Sequence, residues 1–506
     1  MTYDLRLTTS DLRPRPPVTP LDLAVIGAYF LATLGLGLWL SRGQASSGDY
    51  FLGARDLPAW AVLLSIVATE TSAVTVISTP ALGARGDLTF LQLPIGYLIG
   101  RIGVSLWLLP GYFRGEQETA YARLETRFGA STRRALSLVF LATRFLGDGV
   151  RIFAGAIPLA LLTGWSIPLS IVVMSMVTLL YTWFGGIKAV IWADVVQLVV
   201  YLGGGVAALW IASQLAGGFD QVLVVAGDAG KLRVFNPSFS LTAPYTLLGG
   251  LVGGALLSAA SHGTDHLIVQ RLLATRSLRD ARVALIGSGV LVIGQFLLFL
   301  LVGTAIWAAN LAPTTIPSNE IFGRFVLEHL PSGIRGLVIA GILAAAMSTI
   351  SSSINALASS LTHDLYASIT GERDPAKLLR VGRAVSIIWG TALMGGALGF
   401  HAFTTGNDTP AVVLALSIAS VTYGALLGAY LLAGMQGRVI GTDVIRAAAV
   451  TVAVMLVTVF AAKLAASGLP MLTTLGTLAW PWYVPLGTAI MVGTAILSSQ
   501  LRRVAT

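Results

Sequence analysis

Five hydroxyl-bearing residues, Ser348, Thr349, Ser351, Ser352 and Ser353, fall within six consecutive positions of an otherwise apolar stretch. A second group, Thr69, Glu70, Thr71, Ser72 and Thr75, interrupts another apolar run near its middle. A single serine in such a run usually bonds back to the carbonyl four residues earlier or mediates helix packing. A cluster of this density, with acids elsewhere, suits a different task. Sodium is a hard cation that takes several oxygens, and hydroxyls with freed backbone carbonyls supply them without excess charge. Asp194 lies just inside the end of a further apolar run, where an unpaired carboxylate is costly. The nearest basic residue, Lys188, is six positions earlier and off its helical face, so the sequence fixes no Lys or Arg opposite Asp194.

Two further groups could do chemistry. Arg144, Asp148 and Arg151 are spaced i, i+4, i+7 and share one helical face. One Asp neutralises one Arg, which leaves either a buried structural pair or a positive charge for an anionic ligand group. Ser258, Ser261, His262, Thr264, Asp265 and His266 form the other group. His262 and His266 have the i, i+4 spacing of a metal pair with Asp265 between them, but further ligands are lacking. Packing or solute contact suits them better. An enzyme built on His262, Asp265 and His266 finds no cysteine and no catalytic motif in support.

The elements that position these residues are apolar and long. Of 506 residues, 55% are hydrophobic and 11% charged, against about 25% charged in soluble domains. Runs of about 20 apolar residues cross a bilayer as helices with their backbone bonds satisfied internally. About 13 such spans are expected, near 20–42, 57–84, 88–110, 134–162, 165–184, 188–213, 244–272, 281–309, 334–365, 378–400, 408–435, 442–466 and 476–499. The 56 glycines scattered through them allow close helix approach. An all-α integral membrane protein follows, with the lipid bilayer as its surroundings.

The net charge of +9 sits in short loops between spans, which argues against nucleic acid. Arg114, Arg123, Arg127, Arg133 and Arg134, then Arg276, Arg279 and Arg282, then Arg373, Lys377, Arg380 and Arg383 crowd one side, as do Arg438, Arg446, Arg502 and Arg503. The opposite side holds Arg85, Lys231, Arg233 and Lys463. The positive-inside rule puts the N-terminus outside and the C-terminus in the cytoplasm of a cell (inner) membrane. The polar first 20 residues lack a signal-peptide core.

Four motifs, in order, resemble the sodium:solute symporter family. They are FLGARDLPAW with SIVATETSAVTVISTP (51–80), WFGGIKAVIWADVVQ (183–197), SHGTDHLIVQRLLA (261–274) and AGILAAAMSTISSSINALASSLTHDLY (340–366). The family fold, of leucine-transporter type, is an inverted repeat of five plus five helices with the first helix of each repeat broken. The resemblance therefore implies an extracytoplasmic tail at 1–19, a peripheral helix and loop at 20–56, and a first repeat at 57–213. An external loop at 214–243, a second repeat at 244–435 and two C-terminal helices at 436–506 complete the division. The breaks are expected at Ala68–Ser72 and Ser261–Asp265.

The same resemblance implies sites. A first sodium site falls on the carbonyls of Ala68, Thr71 and Ala345 with the hydroxyls of Ser348 and Thr349. A second falls on Asp194, Ser348, Ser351 and Ser352, so that one or two sodium ions are expected. The solute pocket would draw on Glu70, Ser72, Thr75, Gln92, Arg151, Asp265 and His266. Leu416 and Gln92 or Pro94 stand where sodium–glucose members carry Gln and Glu, which speaks against a hexose pocket. SAVTVISTP resembles the branch carrying monocarboxylates, vitamins and iodide, although Glu70 replaces an apolar residue there. The expected activity is sodium-coupled symport of a small organic solute by alternating access, in a chain able to work as a monomer. An anion-bearing solute (monocarboxylate, vitamin, amino acid or sialic-acid-like) comes first, and a sugar or polyol stays in range. A channel or passive facilitator of similar topology is the alternative.

Overall fold

The computed structural model describes residues 18–40, 44–114, 117–404, 411–435, 437 and 439–504, with the side chains at 161–162, 319, 403–404, 411–419, 463 and 503–504 outside the description. All but two residues of the expected tail at 1–19, and the side chain of Leu416, lie outside it. Among the described residues the regular structure is helical, with one isolated parallel bridge between Leu57 and Thr275.

The chain begins with α1 (Pro20–Leu40), followed by α2 (Ala59–Glu70) and α3 (Ala73–Arg85). Next come α4 (Gln92–Trp107), α5 (Ala130–Thr163) and α6 (Ile167–Leu215). The second half holds α7 (Gly254–Gly263), α8 (His266–Leu273), α9 (Leu278–Ala308), α10 (Ile334–Ser360), α11 (Pro375–Thr404) and α12 (Ala411–Gly434). It closes with α13 (Gly441–Ala466) and α14 (Tyr483–Val504). Eight helices among the described residues are long and apolar enough to cross a membrane, and α2 with α3, bent by 71°, makes a ninth. The 49-residue α6 covers two expected spans, 165–184 and 188–213.

Gly186 makes the corner between those two stretches. Its φ of 55° and ψ of −153° are non-helical, and an added Cβ would stand 2.5 Å from the Tyr50 carbonyl oxygen. The Gly185 carbonyl accepts from Gln44 Nε2 at 2.6 Å. A freed backbone group is thereby satisfied by a side chain, as the low-dielectric interior demands.

α10 is apolar or small all round and buried on every residue from Val338 to Ser360, the pattern of a helix enclosed on all sides. It packs against α6, α1, α5 and α11. Small residues set the distances: a Cβ on Gly341 would stand 2.8 Å from Tyr201 Cα of α6. The tightest contact joins α3 to α9. A Cβ on Gly303 would lie 1.7 Å from the Pro80 carbonyl oxygen, and one on Gly83 would lie 2.1 Å from that of Leu300. Outside the bundle, Lys231 caps the end of α3 by donating to the carbonyls of Ala84 (3.1 Å) and Gly86, with its ammonium 4.7 Å from the Trp307 ring centroid. Burial pushes the Lys231 ammonium below its ordinary range, more than nearby Asp87 restores it.

Candidate ion and solute site

Both expected breaks are present. The last hydrogen bond of α2 runs from Thr71 N to Val67 O at 3.1 Å, after which Thr71 (ψ 114°) and Ser72 (ψ 163°) are extended. The carbonyls that follow Val67 are therefore left without their helical donors. α3 restarts with Ser72 as its cap, whose hydroxyl accepts from Thr75 N at 3.4 Å and lies 3.3 Å from the Thr75 hydroxyl. The second helix ends at Thr264, whose N–H reaches Ala260 O at 3.0 Å. Asp265 (ψ 122°) then caps α8 by accepting from Leu267 N at 3.0 Å. A side-chain cap on each restarting half explains why the chain breaks here and not a turn away.

Beside the first break, Ala68, Thr71, Ala345, Ser348 and Thr349 are all buried. Thr349 donates to Ala345 O at 3.3 Å. Thr71 is fixed by Val67 O (2.8 Å) and by Gln295 Nε2 (2.7 Å), and Tyr201 donates to Gln295 Oε1 at 2.8 Å. One helix of the second half, α9, and one of the first, α6, thus brace the break.

Asp194 is fully buried, and Ser348 donates to its Oδ1 at 2.6 Å. Its Oδ2 accepts from Ser65 (2.5 Å) and Thr69 (3.3 Å), and Thr69 lies 3.2 Å from the Ser352 hydroxyl. The sequence fixes no Lys or Arg opposite this acid, but the fold supplies one. Arg271 of α8, also fully buried, donates to Asp194 Oδ2 at 3.1 Å, to Ser65 Oγ at 2.9 Å and to Ser352. Ser351 belongs to the same turn, but its hydroxyl donates to the Ser348 carbonyl at 3.1 Å.

The arginine face of α5 is also completed from elsewhere. Arg144 pairs with Asp265, which accepts from Tyr423 OH at 3.0 Å as well. Asp148 accepts from Arg151 at 3.2 Å and Ser353 at 2.5 Å, with Arg144 at 3.5 Å. Two acids thus answer two arginines, and the surplus positive charge expected from α5 alone is absent. Arg151 keeps a side chain 25% exposed.

Glu70, at the last residue of α2, pairs with Arg101 of α4, and His262 Nε2 of α7 stands 3.6 Å from the same carboxylate oxygen. Arg101 is fully buried and also donates to Ser288 at 2.6 Å. Glu70 thus ties the first broken helix to α4 by an ion pair and faces His262 of the second broken helix across 3.6 Å.

Other predicted solute contacts are engaged elsewhere. Gln92 donates to the carbonyls of Thr89 (2.9 Å) and Tyr245 (3.3 Å) and accepts from Asn236 N at 3.0 Å, which ties it to the loop after α6. His266 Nδ1 accepts from Ala120 N at 3.3 Å, so Nε2 carries the proton toward Ser359 at 3.1 Å. Both ring nitrogens are in use. Among the described residues no group of three or more His, Asp or Glu is placed to hold a metal ion. Sequence reasoning passed over Arg101, Arg271, Ser65, Gln295 and Tyr201. The first two were open to it, since a charge inside an apolar run marks a partner or a site wherever it occurs.

A family model for the sodium:solute symporter family matches residues 50–403. The human sodium/iodide cotransporter is 31% identical over 445 residues, a match covering 83% of this chain and 66% of that protein. The sodium/sialic acid symporter SiaT of Proteus mirabilis is 28% identical, over 73% of this chain and 76% of its own length. Among solved structures, a substrate-bound, outward-open Na+-coupled sialic acid symporter superposes with a TM-score of 0.82 at 26% identity, covering 96% of this chain and 98% of that one. A nucleobase-cation-symport-1 family transporter shares the fold at a TM-score of 0.50 and 17% identity.

Proposed function

Because this chain belongs to the sodium:solute symporter family, we propose that it imports a small anion-bearing organic solute together with one or two sodium ions by alternating access. The observation that carries the sodium coupling is the buried, oxygen-rich wall shared by α2 and α10 at an open helix break. In this reading the carbonyls of Ala68, Thr71 and Ala345 join the hydroxyls of Ser348 and Thr349 around the first ion. Asp194, Ser348, Ser351 and Ser352 serve the second. Each sodium entering down 100 mV contributes about 2.3 kcal/mol before its concentration term. Sodium at the first site would hold α2 against α10, and its release would loosen that contact.

The solute is proposed to lie between the two breaks, near Glu70, Ser72, Thr75 and Asp265. The anionic preference is supported by relatives that carry iodide and sialic acid. Arg151, paired with Asp148 through Nη1 and with a side chain 25% exposed, would be the anchor, through hydrogen bonds rather than surplus charge. The division into a tail (1–19), two five-helix repeats (57–213 and 244–435) and two closing helices (436–506), with the C-terminus in the cytoplasm, belongs to the same proposal.

The test uses purified protein in proteoliposomes. A thermal-shift screen of carboxylates, amino acids and sugars with and without sodium selects the solute, and its uptake is then driven by an inward sodium gradient. Accumulation above the outside concentration is expected, and its loss in Ser348→Ala/Thr349→Ala. Uptake that only equilibrates would identify a passive facilitator. A double variant with unchanged sodium dependence would remove the first-site assignment.

A further inference from the structure

We infer that Arg271 is a tethered cation that the second sodium must displace from Asp194, so that filling of that site and the position of α8 are one exchange. The inference rests on the proposed reading that a second sodium uses Asp194. It goes beyond that reading by naming what opposes the ion.

The geometry supplies the first argument. Arg271 donates to Asp194 and Ser352, two of the four side chains assigned to the second ion, and also to Ser65 at 2.9 Å. The other two assigned groups are occupied in the same turn. Ser348 donates to Asp194 Oδ1 at 2.6 Å, and Ser351 donates to Ser348 O at 3.1 Å. The guanidinium thus sits among the oxygens that a sodium ion would need.

Charge supplies the second. Asp194 and Arg271 are both fully buried and sum to zero, and their contacts with Ser65, Thr69, Ser348, Ser352 and the Leu267 carbonyl are to neutral groups. A sodium ion bound while Arg271 stays on Asp194 would put two cations within a few ångströms of each other in the low-dielectric interior, where their mutual repulsion is large, and moving Arg271 off the carboxylate relieves it. Two cations compete for one carboxylate.

The third argument is that the displaced side chain has somewhere to go. Arg271 already donates to Leu267 O of its own helix at 2.7 Å. The adjacent Gln270 has an Oε1 that is buried and without a hydrogen-bond partner among the described residues. Its amide donates to Asn355 at 2.7 Å, one turn past Ser352 on α10. α8 is only eight residues long and follows the break at Thr264–Asp265, so a change at Arg271 acts on a short half-helix.

Sodium alone is the probe, titrated against choline at constant ionic strength, with radioactive sodium binding read on the full-length protein. Labelling of a cysteine at Arg276, exposed three residues past the end of α8 in this cysteine-free chain, is the second readout. Wild type should show a tight and a weaker class of sodium site. Arg271→Gln should tighten the weaker class by about tenfold or more, because the competing occupant is removed. Arg271→Lys, the variant to use should Gln not fold, should tighten it to a smaller extent. In the Arg276→Cys background sodium should change the labelling rate, and Asp194→Asn should abolish that change. An unaltered or weakened second class in both Arg271 variants would overturn the competition while leaving sodium on Asp194. Retention of both classes in Asp194→Asn would overturn the underlying site as well.

Discussion

Glu70 ends α2 where the helix dipole disfavours a negative charge, so its partners must hold it there. Arg101 does so from full burial, and it also donates to Ser288. Removing one member of a buried pair leaves the other uncompensated, at a cost of about 3–5 kcal/mol. Glu70→Gln should therefore lower the melting temperature of the detergent-solubilised protein markedly. Glu70→Gln/Arg101→Met should recover part of the loss, and equal melting for the single and double variants would show that the pair is not coupled. The acid of this pair was legible in the sequence, because Glu70 sits inside a dense polar cluster. Its partner was not. Arg101 lies 31 positions away and Arg271 lies 77 from Asp194, separations that helical periodicity does not connect. The same gap explains the arginine surplus read on α5, since Asp265 answers Arg144 across 121 positions.

At the scale of the element, the breaks were readable to within a residue or two. The family resemblance placed them, and in the structure Ser72 and Asp265 are the N-caps that restart α3 and α8. The corner at Gly186 falls between the two spans read at 165–184 and 188–213, where the non-helical Gly186 separates the two stretches of α6. Close packing is hidden, since a glycine's neighbour is set by the fold. Gly303→Ala tests this on α9. Alanine in a helix gains about 1 kcal/mol over glycine in propensity, but here its methyl would meet the Pro80 carbonyl at 1.7 Å. Backbone cannot yield as a side chain does, so the net effect should exceed the about 1–3 kcal/mol of ordinary overpacking. Gly395→Ala on α11, with nothing within 4 Å, should be neutral or stabilising. Similar melting temperatures for the two would remove the α3–α9 contact from the account.

For the whole molecule, orientation is the boldest reading of the sequence, because it rests on counting arginines in loops rather than on any contact. The absence of cysteine makes it directly testable. A cysteine at Thr242, exposed in the loop after α6, should react with a membrane-impermeant maleimide in intact cells. One at Asp374, exposed between α10 and α11, should react only after permeabilisation. The reverse pattern would invert the topology and with it the direction assigned to transport. The corner at Gly186 has a consequence on this scale too. The two halves of α6 meet without a slack linker, pinned by Gln44 and Tyr50. They act as a bent lever: a tilt imposed on Asp194 in the second arm is handed to the first arm rather than absorbed between them, and a tag or protease site inserted at 185–187 would jam the crank rather than decorate it.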